Sequence, residues 1–164
     1  MKYAQINPND IVNGEGVSVS LFVQGCGRRC RGCFNKASWD FEGGEEFTLV
    51  EMKQILDAIS ANGVKRNFSI LGGEPLDLNN IEQVLNIIKT VRITYPNIKI
   101  YLWTGYYLDE IWGNSIVKDI MLLADYIIDG PFEEDKKDLT LKLRGSSNQR
   151  IWDLTNKQNY VIIK

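Results

Sequence analysis

Cys26, Cys30 and Cys33 are the only cysteines in the chain, and all three fall inside the stretch GCGRRCRGCFN. Thiolates gathered this closely ligate metal, exchange electrons or act as nucleophiles. A C-x3-C-x2-C loop that also carries Gly25, Gly27 and Gly32 can turn three sulfurs inward as a triangle, because glycine accepts the backbone conformations of tight turns. That triangle suits one face of an iron–sulfur cube. A 4Fe–4S cluster normally takes four cysteines, so three leave one iron open to an outside ligand. Zinc competes, but its structural sites close with four Cys or His ligands, and the chain has no histidine and no fourth cysteine. Two other readings stay open. The cysteines could be buried and unligated, although packing alone gives no reason for the spacing, or one could be a nucleophile with its pKa lowered by Arg28, Arg29 and Arg31. The same arginines would favour the reduced state of an anionic cluster or dock an acidic electron donor.

Composition narrows the setting. A chain of 164 residues with 44% hydrophobic and 24% charged residues is expected to fold as one domain spanning residues 1–164 without covalent staples. A net charge of −2 supplies no basic surface for broad binding to nucleic acid or anionic membrane. The start MKYAQINPND lacks a cationic region followed by an apolar run, and no segment approaches eighteen consecutive apolar residues, so neither secretion nor membrane insertion is expected. A cytoplasmic location follows as the expectation, and an odd cysteine count in a reducing compartment argues against a disulfide framework.

The elements that must position the cysteines alternate between strand and helix. VSVSLFVQ, residues 17 to 24, reads as a buried strand that delivers the chain to Gly25 and the cysteines. Thr48 and Glu51 have capping-box spacing, and Leu49, Met52, Ile55, Leu56 and Ile59 recur at helical period until Asn62 and Gly63. NFSIL, residues 67 to 71, reads as a second strand, followed by a helix from about Asn80 that ends before Pro96. A strand at residues 98 to 103, a helix at 115 to 123 and a short strand at 126 to 128 complete the pattern. This order implies a parallel sheet with helices outside it.

Ligand chemistry in such a sheet sits at the carboxyl ends of the strands. Four loops fall there: the cysteine loop, GGEP (Gly72, Gly73, Glu74, Pro75), WTGY from Trp103 and Thr104, and DGPF from Asp129. Each has a plainer explanation alone. GGEP is a strand-to-helix turn, Trp103 and Thr104 end an aromatic strand, Asp129 opens an Asp-Gly turn and Asn35 forms turns readily. Behind a cysteine triad the ligand reading of GGEP gains, since glycine backbone can approach a cofactor closely and Glu74 can accept from an ammonium. The run EEDKKD, residues 133 to 138, reads as a solvated loop.

Cys26-x3-Cys30-x2-Cys33 resembles the signature of the radical S-adenosylmethionine enzymes, and GGEP resembles their second motif. DIVNGEG, LFVQGC, CRGCFNKASW, WTGY and RGSSNQR together are similar to the anaerobic ribonucleotide-triphosphate reductase activating proteins, from near the N-terminus to about Arg150. Many superfamily members carry an aromatic residue at the position of Gly32; the activases accept glycine there and place an aromatic after the third cysteine, as Phe34 does.

The resemblance implies an α/β fold, a shortened, open partial (β/α) barrel with a mainly parallel sheet. It implies a 4Fe–4S cluster on Cys26, Cys30 and Cys33, with S-adenosylmethionine chelating the open iron and contacted from Phe34, Asn35, Gly72 to Pro75, Trp103, Thr104 and Asp129. It further implies that flavodoxin or ferredoxin reduces the cluster, and that a 5′-deoxyadenosyl radical takes hydrogen from a glycine Cα of the anaerobic ribonucleotide reductase catalytic subunit. RGSSNQR is expected to contact that partner or to fold over the site. The alternatives are a small-molecule radical enzyme, such as a deazapurine synthase, and a non-enzymatic iron–sulfur electron-transfer or metal-binding module.

Overall fold

The computed structural model describes residues 1–163. One sheet of eight strands carries the chain: β1 (Lys2–Asp10), β2 (Val17–Val23), β3 (Glu45–Glu46), β4 (Arg66–Gly72), β5 (Ile100–Trp103), β6 (Tyr126–Asp129), β7 (Arg150–Asp153) and β8 (Val161–Ile163), in the order β3-β1-β2-β4-β5-β6-β7-β8. The helices are α1 (Leu49–Ser60), α2 (Ile81–Thr94), the single turn α3 (Leu108–Ile111) and α4 (Ser115–Leu123). The expected parallel sheet is its centre: β2, β4, β5 and β6 pair in parallel. Both flanks are antiparallel, with β1 and β3 on one side and β7 and β8 on the other. The sequence reading missed these flanks. β1 mixes polar residues with Pro8 and lacks a clean alternation, and β3 and β8 are very short.

The helices form where the local signals place them. Thr48 Oγ1 accepts from the Val50 N–H while Glu51 accepts from the Thr48 N–H at 2.7 Å, which satisfies free donors at the start of α1. Asn62 and Gly63 take positive φ just after that helix, as the chain reversal requires. Leu49 departs from the expected stripe: it is exposed, and Met52, Ile55 and Ile59 carry the buried face of α1.

Alternation along the central strands gives the sheet two unlike faces. Val19, Leu21 and Val23 of β2, with Phe68, Ile70, Ile100, Leu102 and Ile127, pack in one core with α1, α2 and α4. Their neighbours in sequence, Ser18, Ser20, Ser69 and Tyr101, are buried on the opposite face. The loop of residues 11–16 crosses that face. Ser69 Oγ donates to the Asn13 carbonyl at 2.6 Å and Asn67 Nδ2 to the Glu15 carbonyl at 2.8 Å.

β6 ends in Asp129, whose side chain is fully buried. Its carboxylate accepts from Arg150 Nε (2.9 Å), Arg150 Nη2, Trp152 Nε1 (2.9 Å) and the Leu108 N–H (2.9 Å). The group therefore ties β6 to β7 and to α3. Removing one side of a buried, hydrogen-bonded ion pair typically costs about 3–5 kcal/mol, because the other charge is left without a partner. Asp129→Ala should lower the unfolding free energy by that order in urea titrations. Asp57→Ala, which breaks the exposed Lys53–Asp57 pair on α1, should shift it by less than about 0.5 kcal/mol.

Candidate active site

A cavity of about 570 Å³ opens at the carboxyl ends of the parallel strands. Cys26, Cys30, Cys33, Phe34 and Asn35 line it from the cysteine loop, Gly72, Gly73 and Glu74 from the end of β4, and Trp103 and Thr104 from the end of β5. Pro75 is buried behind the β4 loop. Asp129 does not face the cavity either: its oxygens are taken by Arg150, Trp152 and Leu108, and it is Gly130 that reaches the wall.

The cysteine loop is closed mainly through backbone. Gly25 N–H donates to Ser38 O (2.8 Å) and Cys26 N–H to Trp39 O (3.1 Å), so the chain leaving β2 is fastened to the chain returning from the loop. Gln24 Nε2 reinforces the join by donating to the carbonyls of Ala37 (3.0 Å) and Asp40 (2.8 Å). Within the loop Cys33 N–H donates to Cys30 O at 3.2 Å, and Asn35 N–H donates to Cys33 Sγ at 3.3 Å. Burial pushes the Cys26 thiol up, while the N–H groups of Arg28 and Arg29 pull it the other way.

All three thiols are free and half-buried. Among the described residues no group of three His, Cys, Asp or Glu side chains is gathered as one metal ion requires. A zinc ion draws its donors to a single point. With three thiols, no histidine and no fourth cysteine, the donor set is one short of a closed zinc site and matches a cluster that keeps one iron open.

The Gly-Gly-Glu loop docks directly on the cysteine loop. Gly73 N–H donates to Val23 O and Glu74 N–H to Gly25 O, each at 2.8 Å. A Cβ on Gly73 would lie 2.4 Å from the Gly25 oxygen, which only glycine avoids. Asn80, just before α2, bridges the same two loops: its Nδ2 donates to Gln24 O and Glu74 O, both at 3.0 Å. Asparagine before a helix reads as an ordinary cap in sequence, so this role had no signal there; in the fold its side chain makes no cap bond.

Glu74 is buried, and its carboxylate accepts from Thr104 Oγ1 (2.7 Å), the Leu76 N–H (2.9 Å) and the Gly105 N–H (2.7 Å). Burial pushes it up to about 7, against the pull of those donors and of Arg28. Thr104 thus holds Glu74. A carboxylate has about four acceptor positions, so three donors leave one free.

The far wall is the segment after β6. Trp103 Nε1 donates to Leu143 O at 2.7 Å and holds this segment across the cavity. Gln149 knots it: Oε1 accepts from the Gly145 N–H (2.8 Å) and Nε2 donates to Gly130 O (3.1 Å). Arg144, Gly145 and Gln149 line the cavity, so RGSSNQR folds over the site. The run EEDKKD lies largely in solvent, as expected, and carries surface contacts to the cysteine loop. Glu134 (2.7 Å) and Asp135 (3.0 Å) accept from Arg31, and Phe132 packs on Phe34 with ring centroids 5.3 Å apart. Arg31 is thereby committed to this latch, and Arg28 lies 4.7 Å from the centre of the Tyr106 ring. Arg29 is exposed, with positive φ and no ion pair among the described residues.

Comparison with known proteins bears on this geometry. The family described as a 4Fe-4S single cluster domain matches residues 12–152. The anaerobic ribonucleoside-triphosphate reductase-activating protein of Pasteurella multocida is 42% identical over 156 residues, covering 94% of this chain and 99% of that one. Its Escherichia coli K12 counterpart is 39% identical over 155 residues, covering 94% and 99%. The protein of the same name from Enterobacteria phage T4 is 38% identical over 157 residues, covering 95% and 96%. With cysteines, Gly-Gly-Glu loop and far wall all inside the matched span, this chain belongs to the 4Fe–4S family of anaerobic ribonucleoside-triphosphate reductase-activating proteins.

Proposed function

We propose that the chain is a radical S-adenosylmethionine activase that installs a glycyl radical on anaerobic ribonucleoside-triphosphate reductase. The observation that carries this reading is the bridging of the cysteine loop to Glu74 by Asn80 and by glycine backbone, which puts three thiols and a buried carboxylate in one cavity. When bound, the cluster supplies the electron that cleaves S-adenosylmethionine to methionine and a 5′-deoxyadenosyl radical, which takes a hydrogen atom from a glycine Cα of the reductase.

The chain's own residues hold these groups and wall the cavity. Cys26, Cys30 and Cys33 would carry the cluster. Glu74 has one acceptor position left for an ammonium, and its other positions are fixed by Thr104, Leu76 and Gly105. Gly72 and Gly73 let backbone approach the cofactor, and Phe34, Asn35, Trp103 and Thr104 bound it. Pro75 and Asp129 act from behind, by fixing the loops that carry these groups. The segment held by Trp103 and Gln149 walls one side of the cavity.

The sheet reads as the wall of a shortened, open barrel, with the whole chain as one catalytic domain, and the open side admits a large partner. Flavodoxin or ferredoxin supplies the electron, in the cytoplasm, where three free cysteines stay reduced. No helix among the described residues is long and apolar enough to cross a membrane.

Anaerobic reconstitution with iron and sulfide, followed by electron paramagnetic resonance with and without S-adenosylmethionine, tests the reading. A reduced-cluster signal that shifts on addition, with 5′-deoxyadenosine formed and a glycyl radical on added reductase, is expected. A cluster that ignores S-adenosylmethionine would leave an electron-transfer module, and a modified small molecule in place of a glycyl radical would make this a different radical enzyme. Replacing any one of the three cysteines by alanine should abolish the shifted signal.

Glu74 gives a second test. Its carboxyl titrates at about 7 in the fold against an ordinary 4.5, so between these values the folded state binds more protons than the unfolded one. Stability of the ligand-free protein should therefore fall as pH rises from about 4.5 to 7. Glu74→Gln should remove that part of the slope in urea titrations at several pH values. On the reconstituted protein the same variant should weaken S-adenosylmethionine binding about ten- to a hundredfold in equilibrium dialysis, the range for losing a charge-assisted hydrogen bond.

A further inference from the structure

Most large hydrophobic side chains that reach solvent are scattered, which is normal for a protein surface. Three are not. Val12, Phe34 and Leu139 are 75%, 64% and 73% exposed, yet all three line the cavity. A side chain that both lines a cavity and faces solvent stands at its mouth. They come from three separate segments: the loop between β1 and β2, the cysteine loop, and the segment that closes the far wall. The cysteine loop and the far-wall segment meet at this rim, through the Phe34–Phe132 contact and the exposed pairs of Arg31 with Glu134 and Asp135.

We infer that these side chains form an apolar collar that docks the reductase segment bearing the target glycine, through apolar side chains flanking that glycine. The inference rests on the activase reading. What covers the collar follows from its place. It surrounds the opening of the reacting cavity, so whatever sends a glycine Cα inward must lie against it. A small substrate taken wholly inside would leave three large apolar groups in water without a function. A polypeptide buries them at the centre of its interface, where apolar anchors carry most of the binding free energy.

The test uses the full-length reconstituted chain and the reductase under anaerobic conditions. Val12→Ser/Leu139→Ser changes two collar residues that touch neither the cysteines nor Glu74 in any hydrogen bond or ion pair. Ile93→Ser, at an 82% exposed position on α2, controls for loss of surface hydrophobicity in general. The collar variant should raise the Kd for the reductase at least tenfold by sedimentation and cut the yield of glycyl radical in proportion. Without the partner, under dithionite, its cleavage of S-adenosylmethionine should fall by a smaller factor than the glycyl-radical yield does with it. The Ile93 variant should match wild type in every assay. A collar variant that binds the reductase as tightly as wild type overturns the collar. Wild-type protein that neither binds the reductase nor forms a glycyl radical overturns the activase reading itself, and the collar's occupant with it.

Discussion

The site depends on one close approach of two backbones, where the Glu74 N–H meets the Gly25 carbonyl at 2.8 Å. The parallel register sets it up. Val23 lies opposite Gly72, so β2 and β4 release their loops at the same level of the sheet. A side chain on Gly73 would push the two loops apart, since its Cβ would meet the Gly25 oxygen at 2.4 Å. Asn80 then holds the pair from the start of α2, a helix anchored in the core by Ile81, Val84 and Leu85. The rigidity of the core is thus carried to the cysteines by backbone bonds and the side-chain amides of Asn80 and Gln24, with no flexible charged side chain in the path.

Two buried carboxylates, just beyond β4 and at the end of β6, are satisfied in different ways. Asp129 is paired with Arg150 through two nitrogens, so its charge is already matched inside the protein. Glu74 is held only by a hydroxyl and two backbone N–H groups, and burial raises its pKa to about 7. A buried carboxylate with no ion pair among the described residues is costly, and on the activase reading a bound ammonium would supply the cation. The sequence did not separate the two, since both end an apolar strand next to glycine. The difference lies in Arg150, which is distant in sequence and reaches Asp129 only because β7 pairs antiparallel with β6.

The same distinction explains what else could be read in advance. The cysteine triad, GGEP, the capping box of α1 and the periodicity of α2 are local, with cause and effect a few residues apart. The four parallel strands were legible for the same reason, as apolar runs feeding glycine loops. The antiparallel flanks were not, because β1, β3 and β8 owe their strand geometry to a partner. Nor were the latches of the far wall, where Arg31 meets Glu134 and Trp103 meets the Leu143 carbonyl. A surface arginine and an aromatic strand end look alike whether or not something 40 or 103 residues away comes to meet them.

The unlike faces of the sheet explain how so short a chain can present a site at all. A parallel strand in a closed barrel is apolar on both faces, because helices cover the outside and packed side chains fill the inside. Here one face is Val, Leu, Ile and Phe against three helices, and the other carries Ser18, Ser20, Ser69 and Tyr101. Covering the second face therefore takes no further helices. The loop of residues 11–16 suffices, with Gly14 passing so close that a Cβ would lie 2.6 Å from Ser18 Oγ. An apolar second face would have demanded more chain to bury it or would have made the molecule stick to others. The hydroxyl face is nonetheless fully buried, with Ser69 Oγ satisfied by the Asn13 carbonyl at 2.6 Å. Val12, in that loop, stays exposed and lines the cavity together with the exposed Phe34 and Leu139.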